Sequence, residues 1–432
     1  MKKYITGGYV RDVLMGRTPH DKDYVVVGSS VQEMLDSGYK QVGKEFPVFL
    51  HPETKDEYAL ARTEKKTGNK HTDFAFDFSP DVTLRQDCLR RDFTCNALAL
   101  DEETGEITDF FGGVDDIKNK LIRIIDVENF KQDPLRILRA YRFAAILDFE
   151  VESHTKEALR QMVADGMLQH LSPERVWMEV EKALQPFANS AKFFEGLAEI
   201  EGLHDWFPEI EALLSSPEQK KYHASENTFK HTMYALTKVK EDSSLIKWAV
   251  LNHDIGKGTT APEFLPHHPG HDERGLPLIN TMCGRLHIPN EYRRFALLFC
   301  RQHMRIAKLF EMKLPKQYDV IKIISDGFHS RFDLERFLRC FYADYFGEEV
   351  LSEYADTDTF NAICDRARTI FNIMKGVTLD DLSPSCRRKL FRYKGKRVGI
   401  IYREYMIKYL ANSIDDAYAA PYTPPKPKNT SE

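Results

Sequence analysis

No run of apolar residues in this sequence approaches the ~20 that a membrane-crossing helix needs. Nor does an apolar stretch follow the N-terminal Met-Lys-Lys-Tyr-Ile-Thr-Gly-Gly, so neither a membrane span nor a secretory signal is expected. The chain also lacks a Cys-x-x-Cys pair. Its seven cysteines (Cys88, Cys95, Cys283, Cys300, Cys340, Cys364 and Cys386) are scattered and odd in number. That pattern argues against a disulfide framework or a zinc ribbon and suits free thiols in a reducing cytoplasm. An excess of positive charge is missing too. The formal net charge of −5 argues against coating nucleic acid by bulk electrostatics, but it leaves room for a local basic surface. Between Arg387 and Lys408 nine Lys or Arg residues stand against one acid, Glu404. By itself such a run is more often a solvated helix face than a binding site.

What is present is the composition of an ordinary globular protein, 42% apolar and 29% charged over 432 residues. That length implies about two to four domains. The first 132 residues read as mixed α and β. A strand at Tyr4–Thr6 meets Gly7-Gly8, and a helix follows from Tyr9 to Met15. Further strands are expected at Tyr24–Val27, Phe46–His51 and Glu57–Thr63, the last two joined by a turn containing Pro52. Residues 64–80 have no clear period and read as a loop. From Asp133 the pattern is helical. Ser172-Pro173-Glu174 is a good helix start, and Val176, Val180 and Leu184 share one face behind it. The tail from Ala420, with Pro421, Pro424, Pro425 and Pro427, reads as disordered.

Two features carry chemistry in the first segment. Gly7-Gly8 between a strand and a helix lets backbone N–H groups approach a phosphate, and Arg11 adds a charged donor. A Gly-Gly pair alone marks only a turn. In His20-Asp21-Lys22-Asp23-Tyr24, however, two aspartates stand two apart at the start of an apolar strand. Residues so spaced share one face with Cα atoms ~7 Å apart. Such a pair can hold two Mg²⁺ ions ~3.5–4 Å apart for in-line phosphoryl transfer. An isolated Asp-x-Asp is more often a charged strand start; the glycine turn just before it shifts the balance.

Gly7-Gly8-Tyr9-Val10-Arg11-Asp12-Val13-Leu14-Met15-Gly16 followed by Asp21-Lys22-Asp23 resembles the signature of class II tRNA nucleotidyltransferases, a branch of the polymerase β-like superfamily. Two more blocks match in order: Arg90-Arg91-Asp92-Phe93-Thr94-Cys95-Asn96-Ala97-Leu98, and Asp133-Pro134-Leu135-Arg136-Ile137-Leu138-Arg139-Ala140-Tyr141-Arg142-Phe143. The resemblance covers nearly the whole chain and is nearest to bacterial members with an additional HD domain. It implies that Asp21 and Asp23 hold catalytic Mg²⁺, and that Gly8 and Arg11 contact a triphosphate. It further implies that Arg91, with Asp92, helps bind the nucleotide, and that Arg136 and Arg139 lie in the nucleotide pocket. Glu57 is a candidate third carboxylate, with a solvated turn residue as the alternative.

The family is thought to select bases with side chains. Cytosine and adenine both offer an amino donor beside a ring-nitrogen acceptor, so a carboxylate with an arginine suits them and leaves groups unpaired against U and G. Asp133 and Arg136, at i and i+3, are expected on one helix face for this task; the bland alternative is a helix-surface ion pair. The chain departs from the family at Gln132, where an acid is usual.

His231, then Leu251-Asn252-His253-Asp254-Ile255-Gly256-Lys257-Gly258, resembles the HD phosphohydrolase superfamily. Imidazoles with a carboxylate suit a divalent transition metal such as Ni²⁺. His267, His268, His271 and His303 supply further possible ligands. The closing aspartate of such sites is expected near His303, where this chain has Met304.

The expected fold class is α+β. A nucleotidyltransferase head with a mixed sheet spans 1–132, a helical neck and body 133–225, an HD domain 226–330, a helical tail 331–419 and a disordered C-terminus 420–432. The resemblance implies CCA addition to tRNA from CTP and ATP, with the region Arg392-Tyr393-Lys394-Gly395-Lys396-Arg397 meeting the tRNA elbow. The alternatives are a poly(A) polymerase sharing the head, an HD-type metal phosphohydrolase whose head only binds nucleotide, and a tRNA-binding chaperone.

Overall fold

A computed structural model describes residues 1–19, 22–42, 48–66, 74–219, 225–326, 334–348, 356–378, 381, 384–385, 387–388 and 396–415. Asp21, the basic residues Arg392 and Lys394 and the tail from Ala420 lie outside them. By contacts between residues the chain forms two compact units. One comprises Met1–Ala183 with Lys192–Asp205, the other Leu184–Ala191 with Trp206–Glu432. These units cut the chain differently from the five segments expected, inside what was read as neck and body.

The first unit opens on strands β1 (Lys2–Thr6), β2 (Asp23–Val27), β3 (Lys40–Gln41), β4 (Val48–Leu50) and β5 (Glu57–Leu60). They continue through β6 (Thr63–Lys66), β7 (Phe74–Asp77), β8 (Leu98–Asp101) and β9 (Ile107–Asp109). Among the described residues seven of these form one sheet in the order β3-β4-β5-β2-β1-β8-β9. β2 and β5 run parallel while their neighbours are antiparallel, so the sheet is mixed, as expected. Alternation explains its inner face: Val25, Ala97 and Ala99 pack with Ala61, Val82, Leu84 and Cys88. On the parallel pair, Tyr24 and Tyr58 stand in register and stack at 4.2 Å.

Two expectations need correction. The strand read as Glu57–Thr63 stops at Leu60, and Thr63 begins another strand. The residues read as a loop, 64–80, contribute to an antiparallel hairpin, with Glu64 opposite Phe76 and Thr63 opposite Asp77. Its strands are four residues long and pair only with each other, too short to show a period in sequence.

Helices Leu135–Leu147, Ser153–Ala164 and Pro173–Ala183 belong to this unit, as does the Ser190–Glu199 helix from Lys192 on. Val176 and Val180 are buried as expected, and a buried Arg142–Glu179 ion pair ties the first helix to the third. The second unit is helical, with Thr228–Lys238, Ser244–Asn252, His271–Arg285, Asn290–Ala307 and Leu334–Tyr345 around its centre. Lys247 is wholly buried there, and burial lowers its ammonium to about 8. Its Nζ donates to the carbonyls of Gln185 (2.8 Å) and Ala188 (2.9 Å), which fixes the Leu184–Ala191 segment within the unit. The six described cysteines are free and buried. Among the described residues no helix is long and apolar enough to cross a membrane.

Gly196 offers a direct test of the neck. A Cβ added there would lie 2.0 Å from Cδ1 of the buried Tyr141 ring, so the ring or the helix must shift to accept it. Gly196→Ala is expected to lower stability by about 1–3 kcal/mol, read as the shift of the urea unfolding midpoint.

Candidate functional site

In the head, Gly7 caps the Gly8–Leu14 helix in the left-handed region, φ 72°. Glycine is needed twice over, because a Cβ at Gly7 would sit 3.3 Å from Arg91 Nη1. Arg91 is held over this turn by Thr6 Oγ1 (2.9 Å), Asn96 O (3.3 Å) and Asp87 Oδ2 (3.2 Å), while its Nε is buried without a partner. Arg11 is mostly buried and lies beside Gly8. It donates to Asn96 Oδ1 (2.7 Å) and to Asp12 Oδ1 (2.8 and 3.0 Å). Asp23 begins β2 in register with Glu57 of β5 and with Thr6 of β1. Asp23, Glu57, Asp56 and Tyr9 line one open cavity of about 650 Å³. The structure therefore puts the candidate third carboxylate beside Asp23, but its relation to Asp21 lies outside the described residues.

Asp92 ties the head to the neck helix. Its oxygens accept from Phe93 N (2.8 Å), Asn96 Nδ2 (3.1 Å) and Arg139 Nε (2.8 Å), with Arg139 Nη2 closer still. Burial alone would raise this carboxyl, yet Arg139 and Asn96 hold it below the usual carboxylate range. Arg91, Asp92 and Arg139 thus come together with Asn96, which the sequence reading quoted only as part of a block.

Asp133 and Arg136 do not share a helix face. Pro134 caps the helix and Asp133 precedes it, because the first-turn N–H of Leu135 takes the Asp133 carboxylate (3.1 Å) as acceptor. Asp133 also accepts from Arg175 Nη2 at 2.9 and 3.1 Å. Arg136 donates instead to Asn129 O (2.8 Å) and Arg90 O (2.7 Å). Gln132 donates to Asn129 Oδ1 (3.2 Å), so an amide at this position still supports the residue that holds Arg136. Arg175 was missed: it is 42 residues from its partner and belongs to no motif.

The second unit gathers the histidines. His231 Nε2 and His253 Nε2 each lie 3.3 Å from Asp344 Oδ1, and His253 Nε2 is 3.2 Å from Asp254 Oδ2. The other Asp254 oxygen faces His271 (3.1 Å) and His303 (3.3 Å). The closing carboxylate is therefore Asp344, from the Leu334–Tyr345 helix, and not a residue beside His303. Met304 is 37% exposed and plays no part. The centre draws on residues outside 226–330, including Glu218, which shares Lys257 with Asp254 at 2.8 Å each. Among the four further histidines, His271 and His303 join the centre. His268 spends its ring nitrogens on Thr260 Oγ1 and Pro217 O, and His267 is exposed.

This donor set fits metal ions. Among the described residues two groups have ligand atoms close enough to share one: His231, His253, Asp254 and Asp344, and Asp254, His271 and His303. His253 Nε2 and Asp254 Oδ1 are buried without a hydrogen-bond partner despite these short approaches, as expected for lone pairs converging on a common point. Burial lowers the His231 imidazole, but Asp344 and Glu348 outweigh it and lift it to about 9. His253 is likewise raised, against burial, by Asp254 and Asp344. Asp254 and Asp344 are held well below the usual carboxylate range against burial, with His253 the first counterweight for both. An incoming cation would replace these protons.

Residues 3–123 match the family described as the poly A polymerase head domain, and residues 148–214 one described as a probable RNA- and SrmB-binding site of polymerase A. A multifunctional CCA protein of Shewanella frigidimarina is 46% identical over 332 residues, 76% of this chain and 79% of that protein. One from Pasteurella multocida is 45% identical over 324 residues, 72% of this chain and 76% of that protein. The solved structure of a Thermotoga maritima CCA-adding enzyme complexed with tRNA shares the fold, with a TM-score of 0.59 over 95% of this chain and 87% of that one, at 19% identity. With two curated relatives at this identity and coverage, and with the head and its glycine turn in place, the chain belongs to the bacterial multifunctional CCA protein family and is a CCA-adding tRNA nucleotidyltransferase.

Proposed function

We propose that the head adds C and A to the 3′ end of tRNA from CTP and ATP. In the reaction the terminal 3′-hydroxyl oxygen bonds the α-phosphorus, the bond from that phosphorus to the bridging oxygen breaks, and pyrophosphate leaves. The observation that carries this is the register of Asp23 with Glu57 at one cavity, next to the Gly7-Gly8 turn over which Arg91 is held. Asp23, with Asp21 and Glu57, offers hard oxygen ligands suited to Mg²⁺. That ion would stabilise charge on the attacking and leaving oxygens. Gly8, Arg11 and Arg91 orient the triphosphate. Asp92 holds Arg139 in the pocket. Asp133 and Arg136 read the base edge, and Arg175 sets the position of Asp133. Relatives solved with ATP, CTP and tRNA support the substrates. A cytoplasmic setting and tRNA contact by the basic tail belong to the same reading.

The second unit is proposed as a metal-dependent phosphohydrolase acting on 2′-phosphate or 2′,3′-cyclic phosphate ends, which block the hydroxyl that the head extends. His231, His253, Asp254 and Asp344 would hold a divalent transition metal such as Ni²⁺, which activates water. Asp254, His271 and His303 would hold a second ion. Asp344 supplies the carboxylate that the sequence around Met304 lacks.

Incubation of tRNA lacking its 3′ end with Mg²⁺ and each NTP in turn should show addition from CTP and ATP only; extended A tails on generic RNA would favour poly(A) polymerase instead. Asp21→Ala or Asp23→Ala should abolish incorporation while tRNA binding persists; near-normal incorporation at matched Mg²⁺ would remove the metal assignment. Asp133→Ala and Arg136→Ala should each weaken discrimination against UTP and GTP by about 1–3 kcal/mol. Arg175→Ala should do so in the same direction, read as kcat/KM ratios. Unchanged ratios in all three would end the side-chain template. His253→Ala and Asp344→Ala should each abolish hydrolysis of a 2′,3′-cyclic nucleotide with Ni²⁺, Co²⁺ or Mn²⁺ and leave CCA addition intact. Equal hydrolysis by parent and variants would leave the centre structural.

A further inference from the structure

A histidine ligates a metal through one ring nitrogen, and the partner of the other decides which nitrogen is free and how basic it is. At this centre three of the four imidazoles use a backbone carbonyl three residues earlier. His253 Nδ1 lies 2.7 Å from Val250 O, His271 Nδ1 2.8 Å from His268 O, and His303 Nδ1 2.7 Å from Cys300 O. His231 is different: its Nδ1 lies 3.0 Å from the carboxylate oxygen Oε1 of Glu348. Glu348 is only 4% exposed. Its second oxygen accepts from both Ser225 N (2.9 Å) and Ser225 Oγ (2.6 Å), so the carboxylate is fixed from two sides.

The backbone explains how Glu348 comes to this place. Asp344 stands near the end of the Leu334–Tyr345 helix, and the chain leaves that helix through Phe346 and Gly347. A Cβ on Gly347 would lie 2.7 Å from Ala343 O and 3.0 Å from Ala235 Cβ. Ala235 is one turn beyond His231 on the same helix. Only a residue without a side chain lets the turn approach that helix so closely, and the approach sets Glu348 against His231.

We propose that Glu348 is a positioning residue for the second-unit metal centre. It holds the His231 Nδ1 proton so that Nε2 faces the metal, and it is the one carboxylate that takes this part among the four imidazole ligands. One short element, Asp344 to Glu348, then supplies both the closing ligand and the group that orients the ligand opposite it. This inference rests on the reading of the centre as a metal site.

The test is a Co²⁺ titration of the full-length protein, followed by visible absorption and by equilibrium dialysis. The variants are Glu348→Ala, Glu348→Gln and, as a marker for the centre, His253→Ala. The parent should bind Co²⁺ with ligand-field bands that His253→Ala loses. Glu348→Ala should weaken Co²⁺ affinity about 10–100-fold and shift the bands. Glu348→Gln keeps the shape and an acceptor but not the charge, and should weaken affinity about tenfold. CCA addition by each variant at parental rate shows that the chain is folded. A parent that binds no Co²⁺ overturns the metal reading itself, and this inference with it. Parental binding with unchanged affinity and bands in Glu348→Gln overturns the role of Glu348 alone, because a carboxylate that merely fills space would be replaced by glutamine without effect on the metal. Should Glu348→Ala fail to fold, Glu348→Gln alone decides between these outcomes.

Discussion

Asp92 has almost no access to water, and a carboxylate in that position is tolerated only when cations and N–H donors surround it. Its partners are drawn from three directions. Phe93 N–H comes from the next residue, Asn96 from the turn beyond, and Arg139 from the neck helix. Asn96 in turn accepts from Arg11, which reaches from the first helix of the chain. The glycine turn, the Arg91 block and the Leu135–Leu147 helix are therefore joined through one buried negative charge. Removing a partner from such a pair typically costs about 3–5 kcal/mol, far more than a surface ion pair. The head can hold several arginines close together because their mutual repulsion is offset here and at Asp87, which serves Arg90 and Arg91 in the same way.

The second unit applies the same rule with the opposite outcome. Two carboxylates, the buried Asp254 and the half-buried Asp344, are packed among four buried imidazoles. The carboxylates raise His231 and His253 against the effect of burial. The head offers carboxylates at an open cavity, whereas this centre offers mostly buried imidazoles and carboxylates. Hard oxygen donors and softer nitrogen donors favour different ions, so the two donor sets differ in the cation each suits.

What the sequence revealed follows from distance along the chain. The strand, glycine turn, helix and second strand at the N-terminus are contiguous, and each was visible from its own residues. His253 and Asp254 were visible because ligands next to each other make a motif. Asp344 lies 90 residues beyond Asp254 on an ordinary amphipathic helix, and nothing local marks it as a ligand. Arg175 and Glu348 escaped notice for the same reason. The expectation of one helix face for Asp133 and Arg136 met a local obstacle: the helix runs from Leu135 with Pro134 as its N-cap, so Asp133 lies outside it. Short strands such as β8 and β9 were missed because three or four residues carry too little periodicity.

The buried cysteines also have a kinetic consequence. Burial pushes the Cys88 thiol up to about 11, and those of Cys95, Cys283 and Cys364 to about 12. Near neutral pH hardly any thiolate exists at these positions, and no reagent reaches them while the surrounding packing is closed. Alkylation must then wait for a local opening, and its rate at each cysteine measures how often that opening occurs. Cys88 and Cys95 would report on the head, Cys283 on the helix that carries His271, and Cys364 on the helix Thr357–Gly376. The chain thus carries a set of native clocks for the breathing of its separate parts, with no label introduced.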